Sequence, residues 1–255
     1  MTNIKIGPAG LGPVKTAEEI LKEYKAAGIK NCEIAFTYSV YIKKEEATKI
    51  KKIAEELDIE LSIHAPYFVN LNSDDDKKLL ATKQRILKCC ERGHELGAKN
   101  IVFHPGYYGS DREKAYEKIK KGIIELMEEV KKNKWDVKLC PETMGKVNVF
   151  GSIKEISKLV EETGCSFCID FAHVLARDKK RDYKEIEKLF PQKHWHCHFS
   201  GIEYGEKGEK NHIAVKPEEW KELFENLPKD RTITIVCEAP DTVGDALKGI
   251  EILNK

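Results

Sequence analysis

Short apolar segments recur along this chain, and most of them end in a side chain that can bind a metal ion. Eight such segments can be distinguished, and six of them end in a histidine or a carboxylate. The six are LSIHAPYF, NIVFHPG, VKLCPETM, FCIDFAH, WHCHFSG and TIVCEAP, and their candidate ligands are His64, His104, Glu142, Asp170 with His173, His198 and Glu238. IKIGPAG and CEIAFT end without an obvious ligand. If every segment is a strand of one parallel sheet, the ligating side chains lie at a single rim.

Between these segments the spacing of apolar residues changes to that of a helix, as in TAEEILKEYKAAG. A capping box is predicted at the start of two helices, from Thr16 with Glu19 and from Ser152 with Glu155. Regular alternation of strand and helix predicts a parallel sheet with helices outside, and eight such units favour closure into a barrel. The length of 255 residues also matches the roughly 250 typical of this fold. The predicted class is therefore α/β, with residues 1–255 forming a single (β/α)8 TIM-barrel domain.

Composition sets limits on location and partners. The net charge is +1, so no global basic field attracts nucleic acid, and any such binding must come from a local surface. The eight cysteines are expected to be reduced, because the chain is long and has no apolar leader of the kind that precedes secreted proteins. We expect a cytoplasmic protein that engages no membrane, and the sequence implies no protein partner.

Strand periodicity separates the candidate ligands from the residues beneath them, because side chains two positions apart share a face. The layer beneath is mostly small and weakly polar, and comprises Ser62, Val102, Cys140, Cys168, His196 and Val236. The charged layer above it would be strongly destabilising in a barrel unless something positive compensated it, and a metal centre is the simplest compensation.

Each candidate ligand also has an ordinary structural interpretation when taken alone. A strand-end histidine is often a hydrogen-bonded turn residue, and a lone glutamate is often a salt-bridge partner. Convergence at the carboxyl ends of consecutive strands, where active sites of such barrels lie, favours metal binding for the set. We place His94 on a helix surface and interpret His194 and His196 as structural or supporting residues.

The rim offers more donors than one ion can use. The predicted ligands are His64, His104, Glu142, Asp170, His173, His198, His212 and Glu238. Four donors complete a tetrahedral zinc site, so two or three ions that share carboxylates are expected. Mixed imidazole and carboxylate ligands suit zinc, manganese or iron, and the ligand types do not decide among these ions. Clusters of divalent ions are typical of phosphoester hydrolysis.

The motifs at these positions resemble those of the endonuclease IV family of apurinic/apyrimidinic endonucleases, within the xylose-isomerase-like barrel group. The similar segments are HAPYFVNL at 64–71, FHPG at 103–106, PETMGKVNVFGSIKEI at 141–156, CIDFAHV at 168–174, HCHFSG at 196–201 and CEAPD at 237–241. The resemblance covers nearly the whole chain and implies a centre of three zinc ions.

The resemblance also implies a ligand set and a reaction. The first ion would be held by His64, His104 and Glu142, the second by Glu142, Asp170, His198 and Glu238, and the third by His173 and His212. A hydroxide bridging two zinc ions would hydrolyse the backbone of damaged double-stranded DNA 5′ to an abasic site. Glu142 and Glu238 would be the catalytic carboxylates, bridging metals and orienting the water.

Three features depart from the family pattern or stay open. Lys210 stands where the family has an aspartate, and Glu209 replaces that aspartate only if the loop is shifted by one residue. Tyr67 and Phe68 occupy the positions of the family's DNA-inserting side chains, although they could instead simply cover the barrel mouth. Tyr41 stands where family enzymes carry an arginine, which weakens or reroutes phosphate anchoring.

The alternative function is a sugar isomerase or epimerase on the same barrel, with one divalent ion. Glu142, Asp170, His198 and Glu238 fit both functions. His64, His104 and His212 favour the nuclease because a single-ion enzyme does not need them, whereas the neutral charge, the missing arginine and Lys210 favour the isomerase. A non-catalytic metal-binding scaffold is a third interpretation.

Overall fold

The eight apolar segments form eight parallel strands that close into a barrel, as the sequence predicts. The computed structural model describes residues 3–255. Its strands are Asn3–Pro8 (β1), Asn31–Ala35 (β2), Glu60–His64 (β3), Asn100–Phe103 (β4), Lys138–Pro141 (β5), Cys168–Asp170 (β6), His194–Phe199 (β7), Gly201–Gly205 (β8), Gly208–Ile213 (β9) and Thr232–Cys237 (β10). Strands β1 to β7 and β10 form the barrel, and β8 and β9 form a hairpin outside it.

Helices follow the strands on the outside of the barrel. They are Ala17–Ala26 (α1), Lys44–Glu56 (α2), Asp76–Leu96 (α3), Arg112–Lys132 (α4), Ile153–Thr163 (α5), Phe171–Asp178 (α6), Tyr183–Leu189 (α7), Pro217–Asn226 (α8) and Thr242–Leu253 (α9). None of the helices within residues 3–255 combines the length and the apolar composition needed to cross a membrane.

The two predicted capping boxes have different outcomes. At α5 the prediction is confirmed, because the Ser152 hydroxyl accepts from the Glu155 N–H and the Glu155 carboxylate accepts from the Ser152 N–H. At α1 it is wrong, because the Thr16 hydroxyl donates to the Pro13 carbonyl at 3.1 Å and makes no cap hydrogen bond. A 3-10 turn at Val14–Thr16 precedes α1 and turns that side chain back along the chain.

The barrel consists of two four-stranded sheets, ordered β1-β10-β7-β6 and β2-β3-β4-β5. The sheets meet at two seams. At one seam Ala9 is bridged to Glu33, and at the other Glu142 is bridged to Cys168, both in parallel orientation. Glutamates therefore lie at both lines where the two sheets join.

The barrel interior is layered as the strand periodicity predicts. Val102, Cys140 and Cys168 pack together as a buried cluster beneath the charged rim. All eight cysteines are buried and free, as expected for reduced thiols. The large apolar core lies instead between the barrel strands and the helices, and includes Phe103, Phe199 and Trp220.

The hairpin β8–β9 was not predicted from the sequence. Strand β9 carries His212 and ends just before α8, which begins at Pro217. Residues 1 and 2 of the predicted domain lie outside the described residues, and the single-domain boundary stays a prediction.

Candidate metal centre

The predicted ligands come together at the carboxyl-terminal mouth of the barrel. His64 and Asp170 end their strands, Glu142 and Glu238 directly follow β5 and β10, and His198 lies near the end of β7. Parallel strands present these ends on one side. The structure thus gathers side chains that lie far apart in the chain, on the third strand and on the last.

Four groups of donor atoms lie close enough to hold ions; one, of Cys168, His196 and His198, lies beneath the mouth, and three lie at the mouth itself. The three at the mouth are His64, His104 and Glu142; then Glu142, Asp170, His198 and Glu238; then Asp170, His173 and His212. Within each group the donor atoms lie within 4.8 Å of one another. The first two groups share Glu142, as expected from the sequence. The third group also includes Asp170, which was expected to hold only the second ion, and ion binding itself stays a prediction.

Glu142 is the centre of the first group. Its Oε2 lies 3.3 Å from His64 Nε2 and 3.1 Å from His104 Nε2. The two imidazole rings meet edge to face at 5.1 Å. The other oxygen, Oε1, lies 3.2 Å from His198 Nδ1, so a single carboxylate joins the first group to the second.

Backbone carbonyls orient three of the imidazoles. Nδ1 of His64 lies 2.8 Å from the Ala65 carbonyl, and Nδ1 of His173 lies 2.9 Å from the Thr143 carbonyl. Nδ1 of His212 lies 3.1 Å from the Glu238 carbonyl. A carbonyl only accepts, so each Nδ1 carries the hydrogen and each Nε2 is free to bind a metal.

The donor set fits divalent ions on this geometry. Asp170 belongs to two groups, and its Oδ2 is buried without a hydrogen-bond partner among the described residues. Nε2 of His173 and Nε2 of His212 face each other at 3.3 Å, although both Nδ1 atoms already donate to carbonyls. Two imidazole nitrogens and a buried carboxylate oxygen this close together need a positive charge between them, which is either a proton on His173 or a metal ion.

Electrostatics in the absence of ions support the same conclusion. Burial would raise the pKa of Glu142, but His198, His104 and His173 outweigh it and hold that pKa well below its usual value. Burial lowers the pKa of His64, yet Glu142 raises it overall to about 9. For His173, burial is likewise outweighed, here by Asp170 and Glu142, and the pKa rises to about 10. Without metal ions, protons on His64 and His173 thus balance the negative charge of the buried carboxylates.

The hairpin β8–β9 determines that Glu209, and not Lys210, faces the third donor group. Strand β8 pairs Glu203 with Asn211 and Tyr204 with Glu209, so Lys210 is the extra residue of a bulge. A bulge shifts the alternation of side chains by one position. As a result Glu209 Oε2 lies 3.5 Å from His173 Nε2, whereas Lys210 is exposed. The one-residue shift considered in the sequence analysis is present, and metal binding by Glu209 stays a prediction.

A cavity of about 480 Å³ opens above the centre. Its lining includes His64, His104, Lys210, Glu238 and Tyr67. A substrate can therefore reach the candidate ligands from the mouth of the barrel.

Exposed aromatic side chains stand beside this cavity. Tyr67 and Phe68 expose 59% and 60% of their surfaces, and Tyr38 stacks on Phe68 with ring centroids 6.1 Å apart. Tyr67 lines this cavity and a neighbouring one, whereas Phe68 lines only the neighbouring one. Covering of the barrel mouth, without insertion into DNA, therefore fits Tyr67 better than Phe68. Tyr41 packs edge to face against Phe36 at 5.2 Å and leaves no cation at the position of the family arginine.

Of the remaining histidines, His94 and His196 lie where the sequence places them, whereas His194 does not support the centre. His94 is exposed on α3, and His194 is exposed at the start of β7. His196 is buried beneath His198, with Nε2 2.9 Å from Glu33.

Glu33 is the residue that the sequence analysis missed. It lies on β2 in the segment CEIAFT, completely buried, and it contacts His196 and His198. A carboxylate in the middle of an apolar strand, two positions before Ala35 and on the same face, was the available signal.

Comparison with known protein families gives a match over most of the chain. A family model described as xylose isomerase-like TIM barrel matches residues 21–255. An uncharacterized protein of Methanocaldococcus jannaschii is 33% identical, in an alignment that covers 98% of this chain and 96% of the relative. A probable endonuclease 4 of Staphylococcus carnosus is 28% identical, with 76% and 77% covered. Other matches are shorter, and the chain spans 51% of the probable endonuclease 4 of Mycobacterium ulcerans.

Solved structures of different function share the fold. SacUVDE superposes with a TM-score of 0.77 at 16% identity, covering 100% of this chain and 98% of the other. Endonuclease IV from Thermus thermophilus gives 0.72 at 18% identity, covering 99% and 98%. The epimerase YcjR from E. coli, a 3-keto-D-glucoside 4-epimerase, also gives 0.72, at 14% identity, covering 100% and 99%. Equal scores for a nuclease and an epimerase mean that the fold alone does not choose between them.

Proposed function

The chain belongs to the xylose isomerase-like TIM barrel family, and we propose that it is a metal-dependent hydrolase that cleaves damaged double-stranded DNA 5′ to an abasic site. Relatives that carry the name probable endonuclease 4 support a DNA-repair activity. A cytoplasmic location, expected from the sequence, stays a prediction.

One observation carries this proposal: three donor groups lie at the barrel mouth, and they share carboxylates. An epimerase with one ion needs only Glu142, Asp170, His198 and Glu238. The groups around His104 and around His212 would then be buried or half-buried clusters of imidazole and carboxylate without a role. Two or three zinc ions use all of them, with manganese or iron as alternatives.

Most of the proposed ligands only bind the ions, whereas one of them also lies where it can contact the substrate or the attacking water. Divalent ions held by such donors lower the pKa of water and neutralise charge on a phosphate. Glu142 is completely buried, so its role is to hold ions in place. Glu238 exposes 20% of its side chain to the cavity, so its carboxylate can orient a water molecule that enters from the substrate side.

DNA would contact the mouth through aromatic and basic side chains. Tyr67 and Phe68 are exposed beside the cavity and can occupy the space of an unstacked base. Lys210, exposed at the cavity edge, offers the positive charge for a phosphate that Tyr41 does not supply. With a net charge of +1, such local contacts must supply the attraction.

The direct test combines elemental analysis with an incision assay. Purified protein should contain two to three zinc ions per chain, and it should cut a duplex with one abasic site on the 5′ side of that site. The undamaged duplex of the same sequence is the substrate control. One manganese ion per chain with no incision would instead support the epimerase.

Single variants separate the two functions further. His104→Ala should abolish incision, because His104 belongs only to the first group. A one-ion epimerase would keep its metal and its activity in this variant. His94→Ala is the matched control, since this histidine is exposed on α3 and should leave both metal content and incision unchanged.

A further inference from the structure

A buried carboxylate lies directly beneath the candidate metal centre. Glu33 on β2 has no exposed surface, and its Oε2 accepts a hydrogen bond from the Ser62 hydroxyl at 2.7 Å. The same oxygen lies 2.9 Å from His196 Nε2. Its other oxygen, Oε1, lies 2.9 Å from His198 Nε2. A charge buried this deeply is costly unless its partners are well placed, so the arrangement calls for an explanation.

His198 differs from the other candidate ligands in how it is oriented. His64, His173 and His212 each direct Nδ1 to a backbone carbonyl and present Nε2 to the centre. His198 is reversed, with Nδ1 3.2 Å from Glu142 Oε1 and 3.4 Å from Glu238 Oε1. Its Nε2 points down the barrel and lies 2.9 Å from Glu33 Oε1. Both atoms are buried, and neither has a hydrogen-bond partner among the described residues, so they face only each other.

We propose that Glu33 is a positioning residue for the metal centre, which keeps the hydrogen of His198 on Nε2 and leaves Nδ1 free to bind the ion of the second group. Ser62 and His196 fix Oε2, and this leaves Oε1 to face His198. The inference rests on the proposed metal centre but not on the reaction or the substrate. A carboxylate behind a ligating imidazole also makes that imidazole a stronger donor.

A competing role for the same residues is a further buried metal site. Cys168, His196 and His198 have donor atoms within 4.8 Å of one another. However, the Nε2 atoms of both histidines already lie 2.9 Å from oxygens of Glu33. His196 Nε2 is thus hydrogen-bonded to Glu33, and His198 Nε2 is in contact with the other carboxylate oxygen, so a positioning network accounts for both atoms without an additional ion.

The central variant is Glu33→Gln, which keeps the size of the side chain. Its amide oxygen will stay toward Ser62 and His196, because the Ser62 hydroxyl must have an acceptor. The amide N–H group then faces His198 Nε2, which favours the ring form with hydrogen on Nδ1. That form cannot bind a metal through Nδ1, so the zinc ion of the second group should bind about 10- to 100-fold more weakly.

Asp245→Asn is the matched control for loss of a buried carboxylate. Asp245 is also completely buried, but it accepts from the Val215 N–H and pairs with Lys248, away from the centre. Its variant should keep the zinc affinity of the natural chain. Zinc per chain is measured by elemental analysis after dialysis against a graded series of chelator concentrations.

A second measurement needs no variant. In the zinc-loaded natural chain, nitrogen NMR of the histidine rings should show His198 with hydrogen on Nε2 and zinc on Nδ1. Zinc on Nε2 of His198 would overturn the inference, and so would unchanged zinc affinity in Glu33→Gln. Loss of one zinc equivalent in Cys168→Ser would favour the buried metal site and also overturn it. If the natural chain binds no zinc at all, the proposed function fails with it, whereas zinc binding without incision refutes only the proposed reaction.

Discussion

At the scale of single residues, the candidate centre depends on which nitrogen each imidazole presents. Three rings are fixed by backbone carbonyls, which any sequence at those positions would supply. His198 depends instead on one side chain, Glu33. Glu142 is the carboxylate that joins the first two donor groups, because it lies between His64, His104 and His198.

Replacing Glu142 should abolish the proposed activity while leaving the fold intact. Glu142→Gln keeps the shape but removes a charge shared by the first two donor groups, so incision should fall by more than about 100-fold and zinc content should drop. Circular dichroism checks the fold. Glu60→Gln, at the opposite end of the barrel, should keep normal incision, and an unaltered rate for Glu142→Gln would refute its role.

The ligand residues could be predicted because each follows a recognisable apolar segment. Glu33 could not be assigned a role in the same way, because its partners lie on β7, and His196 is 163 positions away along the chain. A carboxylate within an apolar strand signals that something polar must face it. The sequence does not identify that polar partner, because the alignment of β2 with β7 across the barrel is fixed only when the barrel closes.

At the scale of elements, the hairpin β8–β9 decides the composition of the third donor group. It carries His212 and turns Glu209 rather than Lys210 toward His173 through its bulge. The strand-helix alternation predicted the barrel elements well, because each combines a long apolar pattern with turn signals. The hairpin segments GIEYG and GEKNHI are short and polar, so no periodicity reveals them.

Paired variants in this hairpin test the bulge. Glu209→Gln should weaken zinc binding in the third group by about tenfold, whether the carboxylate binds the ion directly or supports it. Lys210→Ala, at the next position, should keep the zinc content of the natural chain. A zinc loss in Lys210→Ala with none in Glu209→Gln would show that Lys210 faces the centre in the loaded protein.

At the scale of the whole molecule, metal content and stability are linked through protons. In the metal-free chain the pKa of His64 is raised to about 9 and that of His173 to about 10, from an ordinary value of 6.5. Their charged forms therefore stabilise the fold fully below pH 6.5, and this contribution is lost as the pH rises through 9 to 10. Zinc needs the neutral imidazoles, so it gains affinity over the same range.

Zinc should therefore raise the melting temperature more at pH 9 than at pH 6.5. For a chain of this size, 1 kcal/mol corresponds to roughly 2–4 °C, so the difference between the two pH values should reach several degrees. Calorimetry of zinc-loaded and chelator-treated protein measures it directly. A zinc effect that shrinks between the lower and the higher pH would contradict the assignment of His64 and His173 as ligands.

The two seams give the centre a mechanical consequence. The ligands His64 and His104 belong to the sheet of β2 to β5, whereas Asp170, His198 and Glu238 belong to the other sheet. Glu142 lies at a seam itself. Ions bound between these side chains would cross-link the halves of the barrel where its hydrogen-bonded ladder is thinnest. Without the ions, the two sheets could separate at the barrel mouth. In zinc-depleted protein, proteases should therefore cleave first in the loops at that mouth.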